Sequence, residues 1–122
     1  MGFDKTMIAV RTADGLRVVT LEPFTFTRPS GDVITVPAGT QSDGASIPEA
    51  LWSTGLAPFG TYWLATVLHD YLYRDTARLK EECDTILLEA MQALYVDETQ
   101  ATLIYEGVHF GGWKAFRGDR TR

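Results

Sequence analysis

His69, Asp70 and Asp84 stand among apolar residues in the stretch VLHDYLYRDTARLKEECDTILLEAM, which runs from Val67 to Met91. A carboxylate that faces a histidine fixes the imidazole tautomer and raises its basicity. The second ring nitrogen can then take a proton from water or hold a metal. The stretch reads as two amphipathic helices with a break centred near Asp75-Thr76-Ala77. An antiparallel pair brings together residues equidistant from its turn, and His69 lies about as far before the break as Asp84 lies after it. Tyr73 follows His69 by one helical turn and shares its face. Asp70 points about 100° away. As a hard oxygen ligand, Asp70 could hold Ca²⁺ or Mg²⁺ if loop carbonyls completed the shell, and Asp43 in SDGAS is the second acidic candidate. The same residues also fit a structural role. A buried His–Asp hydrogen bond beside a tyrosine commonly satisfies polar groups between helices, and Asp43 before Gly44 suits an Asx-turn. Site and strut both stand at this point.

The elements that must carry these residues follow from hydrophobic period and turn chemistry. MIAVRTADGLRVVTLE holds two β-rich runs around Asp14-Gly15, a dipeptide that tolerates the positive φ of a tight hairpin. FTFTRPSGDVITVPAG repeats the plan around Pro29 to Asp32. Phe24 and Phe26 alternate with Thr25 and Thr27, so one face is expected to be buried. Pro23 and Pro37 belong at strand ends, because proline cannot donate to a ladder. In the long stretch that follows, Ser46-Ile47-Pro48-Glu49 has capping-box spacing and should open a short helix through about Trp52. Three helices are predicted after it: about Thr61 to Arg74, about Arg78 to Tyr95, and one opened by Asp97 and closed near Gly111-Gly112. The second shows the cleanest stripe, with Leu79, Cys83, Ile86, Leu87, Ala90 and Leu94. Strands followed by helices predict an α+β fold: two N-terminal β-hairpins in a small antiparallel sheet, then a short helix and three helices, the first two an antiparallel pair. The expected organisation is one domain over residues 1–122. It comprises a hairpin part over 1–40, a long loop with the short helix over 41–60, a helical part over 61–113 and a basic tail over 114–122.

Composition narrows the function classes. A chain of 122 residues is long enough to bury a core without staples. Its net charge of −5 argues against binding nucleic acid through the phosphate backbone. The single cysteine, Cys83, lies on the apolar stripe, so neither an internal disulfide nor a structural zinc cluster is expected. No apolar run approaches the ~20 residues of a membrane span, and the N-terminus lacks the pattern of a signal peptide. Ser46 suits a helix cap better than a nucleophile, since no G-x-S-x-G elbow surrounds it. His109 shares a helical face with Tyr105 and Trp113 and suits packing or an interface.

Two resemblances rest on these segments. VPAGTQSDGASIPEALW, GTYWLATVLHDYLYR and CDTILLEAM together resemble the phage and prophage domain-of-unknown-function family numbered 1353, over about Val33 to Met91. That family implies a bacteriophage or prophage setting and no particular activity. More locally, His69-Asp70-x-x-Tyr73 followed by an aspartate on the next helix resembles the active-site helix pair of phospholipase A2. The resemblance implies His69 as the base activating water, Asp70 as a calcium ligand, Asp84 as the carboxylate orienting His69, and Tyr73 as a hydrogen-bonding support. Gly55 to Gly60 does not spell that family's upstream calcium loop, and its disulfides are absent.

The expected role is therefore a virion or assembly component, tail- or neck-associated, made in the host cytoplasm without a signal peptide and then incorporated into the particle. Its partners would be other phage structural proteins or further copies of itself. Trp52, Trp63 and Trp113 supply aromatic area for docking, and the hairpins could extend a partner's sheet. The alternative is a small phage hydrolase acting on lipid or envelope esters, with Ca²⁺ as the only cofactor implied.

Overall fold

Both expected hairpin pairings form, with Asp14 and Gly15 of the first turn lying outside the described residues. A computed structural model describes residues 2–4, 9–13, 17–42 and 63–111. Strand β1 is Gly2–Phe3, β2 Ala9–Arg11, β3 Val18–Thr20, β4 Phe24–Thr27, β5 Val33–Val36 and β6 Gln41–Ser42. β2 and β3 pair antiparallel, with Val10 opposite Val19, and the Thr12 amide donates to the Arg17 carbonyl at 2.9 Å. β4 and β5 pair from Phe24–Val36 to Thr27–Val33. Their turn is closed by Gly31 N–H to the Arg28 carbonyl at 2.9 Å and Arg28 N–H to the Asp32 carbonyl at 2.8 Å. Gly31 sits at φ +93°, a conformation that a Cβ would penalise, so glycine fits this bulge.

The two hairpins do not share a sheet. Each recruits a third strand, giving the orders β1-β4-β5 and β2-β3-β6. The extra strands span two residues each and carry no period, which is why the sequence shows only the hairpins. Phe24, Phe26, Ile34 and Val36 turn inward, as their alternation requires, while Val33 is 59% exposed. Pro23 and Pro37 flank β4 and β5 as expected.

Three helices complete the α+β fold: α1 Trp63–Asp75, α2 Lys80–Ala93 and α3 Glu98–Gly111. The short helix expected over Ser46 to Trp52 lies outside the described residues. So do Asp43, Trp52, Trp113 and the basic tail. α1 is buried on almost every side, including Ala65, Thr66, Val67, Leu68, Leu72 and Tyr73, because it packs against both α2 and β6. Its polar residues must therefore find partners inside the protein.

The apolar stripe of α2 does not reach back to Leu79 as its period predicts. Leu79 does not belong to the buried stripe: it is the N-cap, with ψ 150°, and is 70% exposed. Its neighbour Lys80 takes the buried position at 3% exposure. An extended N-cap residue does not follow the helical face, so the period of α2 begins only after Leu79. At the other end, Tyr95 N–H donates to the Gln92 carbonyl at 3.1 Å and Val96 N–H to the Met91 carbonyl at 3.0 Å, the Schellman pattern. Tyr95 occupies its left-handed position at φ +57° and is 95% exposed. α3 is capped by Asp97, whose Oδ2 accepts from the Thr99 and Gln100 amides at 3.1 and 3.2 Å.

Candidate functional site

The α1–α2 turn sets the site's register. Thr76 Oγ1 donates back to the Leu72 carbonyl at 2.7 Å and accepts from the Arg78 amide at 3.3 Å. The two helices then run back antiparallel and bring His69 Nε2 to 2.8 Å from Asp84 Oδ1. Tyr73 OH donates to the same oxygen at 2.6 Å. The His69 and Tyr73 rings lie against each other, with centroids 4.1 Å apart. An ionised carboxylate has no proton to give, so Nε2 carries the hydrogen in this pair and the tautomer is fixed.

The other carboxylate oxygen belongs to Lys80. Lys80 Nζ donates to Asp84 Oδ2 at 2.6 Å and to the carbonyls of Val108 and His109 at 3.0 Å each. Those carbonyls end α3, where four acceptors have no intrahelical partner. The three donors of one ammonium thus join α2 to the negative end of α3, where a cation is favoured. Asp84 accepts from three side chains on two helices and is itself fully buried, as is His69. His109 approaches the same carboxylate with Nδ1 at 3.8 Å from Oδ2, too far for a hydrogen bond. Its ring stacks on Tyr105 at 5.4 Å.

Desolvation pushes the Asp84 carboxyl up, but the hydrogen bonds from His69, Lys80 and Tyr73 together outweigh it and hold the group below the usual carboxylate range. The same burial, with Asp84 beside it, pushes the Tyr73 phenol far up, so Tyr73 remains a donor at any ordinary pH. A carboxyl held below its unfolded value contributes stability that is present above that value and lost as pH falls through the folded one. Asp32 is likewise lowered by hydrogen bonding from Arg78 and acts in the same direction. Urea midpoints are therefore expected to be flat near neutrality and to fall as the pH drops below about 4. A protein that gained stability on acidification through this range would contradict the assigned network.

Asp70 faces the other way. Its Oδ2 accepts from Ser42 Oγ of β6, and both residues are buried. The angular separation of His69 and Asp70 thus sends one toward α2 and the other toward the sheet. The structure brings His69, Tyr73 and Asp84 together and sets Asp70 on a separate contact, while Asp43 is not described. Among the described residues no three His, Cys, Asp or Glu side chains converge as a metal site. Cys83 is a buried free thiol, as its place on the stripe indicates.

Sequence reasoning missed Lys80 and Ser42. Lys80 stands four residues before Asp84, a spacing that makes an ion pair on one helix face. That signal was present, but a lysine at a helix start ordinarily reads as solvated. Ser42 carries no such signal, because its contact with Asp70 spans 28 positions of sequence.

Comparison with known proteins adds a family and one relative. The family model described as "Protein of unknown function (DUF1353)" matches residues 18–108. The "Uncharacterized protein y4jT" of Sinorhizobium fredii (strain NBRC 101917 / NGR234) is 37% identical over 86 residues, covering 70% of this chain and 26% of its own length. The chain therefore spans about a quarter of that relative. No solved structure matches.

Proposed function

The chain belongs to the DUF1353 family, and from that premise we propose that it is a bacteriophage or prophage virion or assembly component, tail- or neck-associated, whose His69–Asp84 pair is a buried strut. The observation that carries the strut is the complete burial of His69 and Asp84, with both carboxylate oxygens already accepting from His69, Tyr73 and Lys80. A general base must reach a water molecule, and an imidazolium at His69 would meet a carboxylate already neutralised by the Lys80 ammonium. The network's evident product is a fixed arrangement of α1, α2 and α3. The phage setting rests on the resemblance of the three linked motifs, and the longer relative supports a unit that works beside other polypeptide. In its own phage or induced lysogen, the chain is expected to sediment with assembled particles through a density gradient. Finding it only in the soluble lysate would overturn the assembly role.

One observation favours a second reading, a small phage hydrolase acting on lipid or envelope esters. His69 Nε2 and Tyr73 OH converge on one oxygen of Asp84, the arrangement implied by the phospholipase A2 resemblance. For this reading His69 would have to present Nδ1 to water, and Asp70 would have to exchange Ser42 for calcium. Both changes require the site to open.

A further inference from the structure

The outer edge of β5 has backbone groups that nothing among the described residues pairs. The β4–β5 register fixes which ones. Arg28 and Asp32 form a hydrogen-bonded pair across the turn, and pairs alternate along an antiparallel ladder. Phe26–Ile34 and Phe24–Val36 are then the pairs bonded between β4 and β5, whereas Thr27–Val33 and Thr25–Thr35 are not. Thr25 confirms the alternation, since its carbonyl accepts from the Asp4 amide on the opposite side at 3.0 Å. The N–H and C=O groups of Val33 and Thr35 therefore point away from β4, along the open edge.

That edge borders a groove. A space of about 530 Å³ lies between Val33 and Thr35 on one side and Tyr71, Ala77 and Arg78 on the other. It is continued past Tyr71 by a second space of about 460 Å³ beside Pro37, Gly39 and Arg74. Around the first space the rim is ion-paired. Arg78 bonds Asp32 at 2.8 Å and also Glu82, so its charge is already matched. The exposed Val33 side chain stands at the groove's end.

We infer that β5 is a docking edge for an extended segment of a partner protein, which adds to the β1-β4-β5 sheet as a fourth strand beside Tyr71. The inference rests on the assembly reading and names its contact. Outward amides and carbonyls two residues apart fit a polypeptide backbone in extended conformation. The matched charges beside Val33 and Thr35 fit an occupant whose side chains there are uncharged and alternate as β-branched or aromatic residues. An edge this short, bounded by Asp32 and Pro37, accepts one strand without propagating.

The test uses the full chain and a displayed library of random 12-residue peptides, with the selected sequences made synthetically. Selected peptides are expected to slow hydrogen exchange of the Val33 and Thr35 amides at least tenfold and to leave α3 unchanged. Thr35→Pro removes an outward donor without removing a β4–β5 hydrogen bond, and should weaken binding roughly tenfold or more. Thr35→Lys, which keeps the amide and crowds the edge with a charge, serves if the proline variant fails to fold. Peptides that protect other amides, or that bind both variants as well as wild type, would overturn the inference. So would the absence of any binder, or Val33 and Thr35 amides already protected by a second copy of the chain. If the protein sediments with particles but the peptide arm fails, the docking edge is wrong and the assembly role stands. If peptides bind β5 but the protein is absent from particles, the assembly role is wrong and the edge stands.

Discussion

Lys80→Met is expected to destabilise the protein by about 3–5 kcal/mol, the range for breaking a buried ion pair from one side. Methionine matches the length of the lysine stem, so little packing is lost. What remains is a buried Asp84 carboxylate without its cation and two α3 carbonyls without a donor. The effect is expected to be non-additive. In Lys80→Met/Asp84→Asn the charge is removed from both sides, and the double variant should be more stable than the sum of the single losses allows. Urea unfolding of the three variants checks this. Additive losses would show that Lys80 and Asp84 do not act as a unit.

Asp84→Asn is the second large effect. Considered as a His–Asp contact alone, it would cost roughly 1–3 kcal/mol, the range for an impaired buried hydrogen bond. Lys80 raises that expectation to about 3–5 kcal/mol, because the asparagine leaves a buried ammonium facing an amide. His69→Gln, which leaves the Lys80–Asp84 pair intact, should stay within roughly 1–3 kcal/mol. A His69 variant costlier than Asp84→Asn would place the weight of the network on the imidazole rather than on the ion pair.

The parts legible in the sequence were those with a local cause. The β2–β3 and β4–β5 hairpins follow from turn residues and alternation, and the α1–α2 pairing follows from a break at Thr76. Equidistance from that break was enough to bring His69 to Asp84 and to place Tyr73 on the same face. What escaped had a non-local cause. β1 and β6 are two residues long and exist only because longer strands accept them. Lys80 is buried because α3 ends above it with unpaired carbonyls, which the sequence of α2 cannot announce. Its burial also changes what the site can do, by converting an apparent His–Asp dyad into a neutral Lys–Asp pair with a histidine and a tyrosine attached.

The measurement closest to the central claim is hydrolysis of mixed anionic and zwitterionic phospholipid vesicles by the purified wild-type chain, with calcium and with a chelator. A buried strut predicts no fatty-acid release above background in either condition, while His69→Gln changes the unfolding midpoint. Calcium-dependent release by wild type that disappears in folded His69→Gln would contradict the account, because it would make His69 a working base.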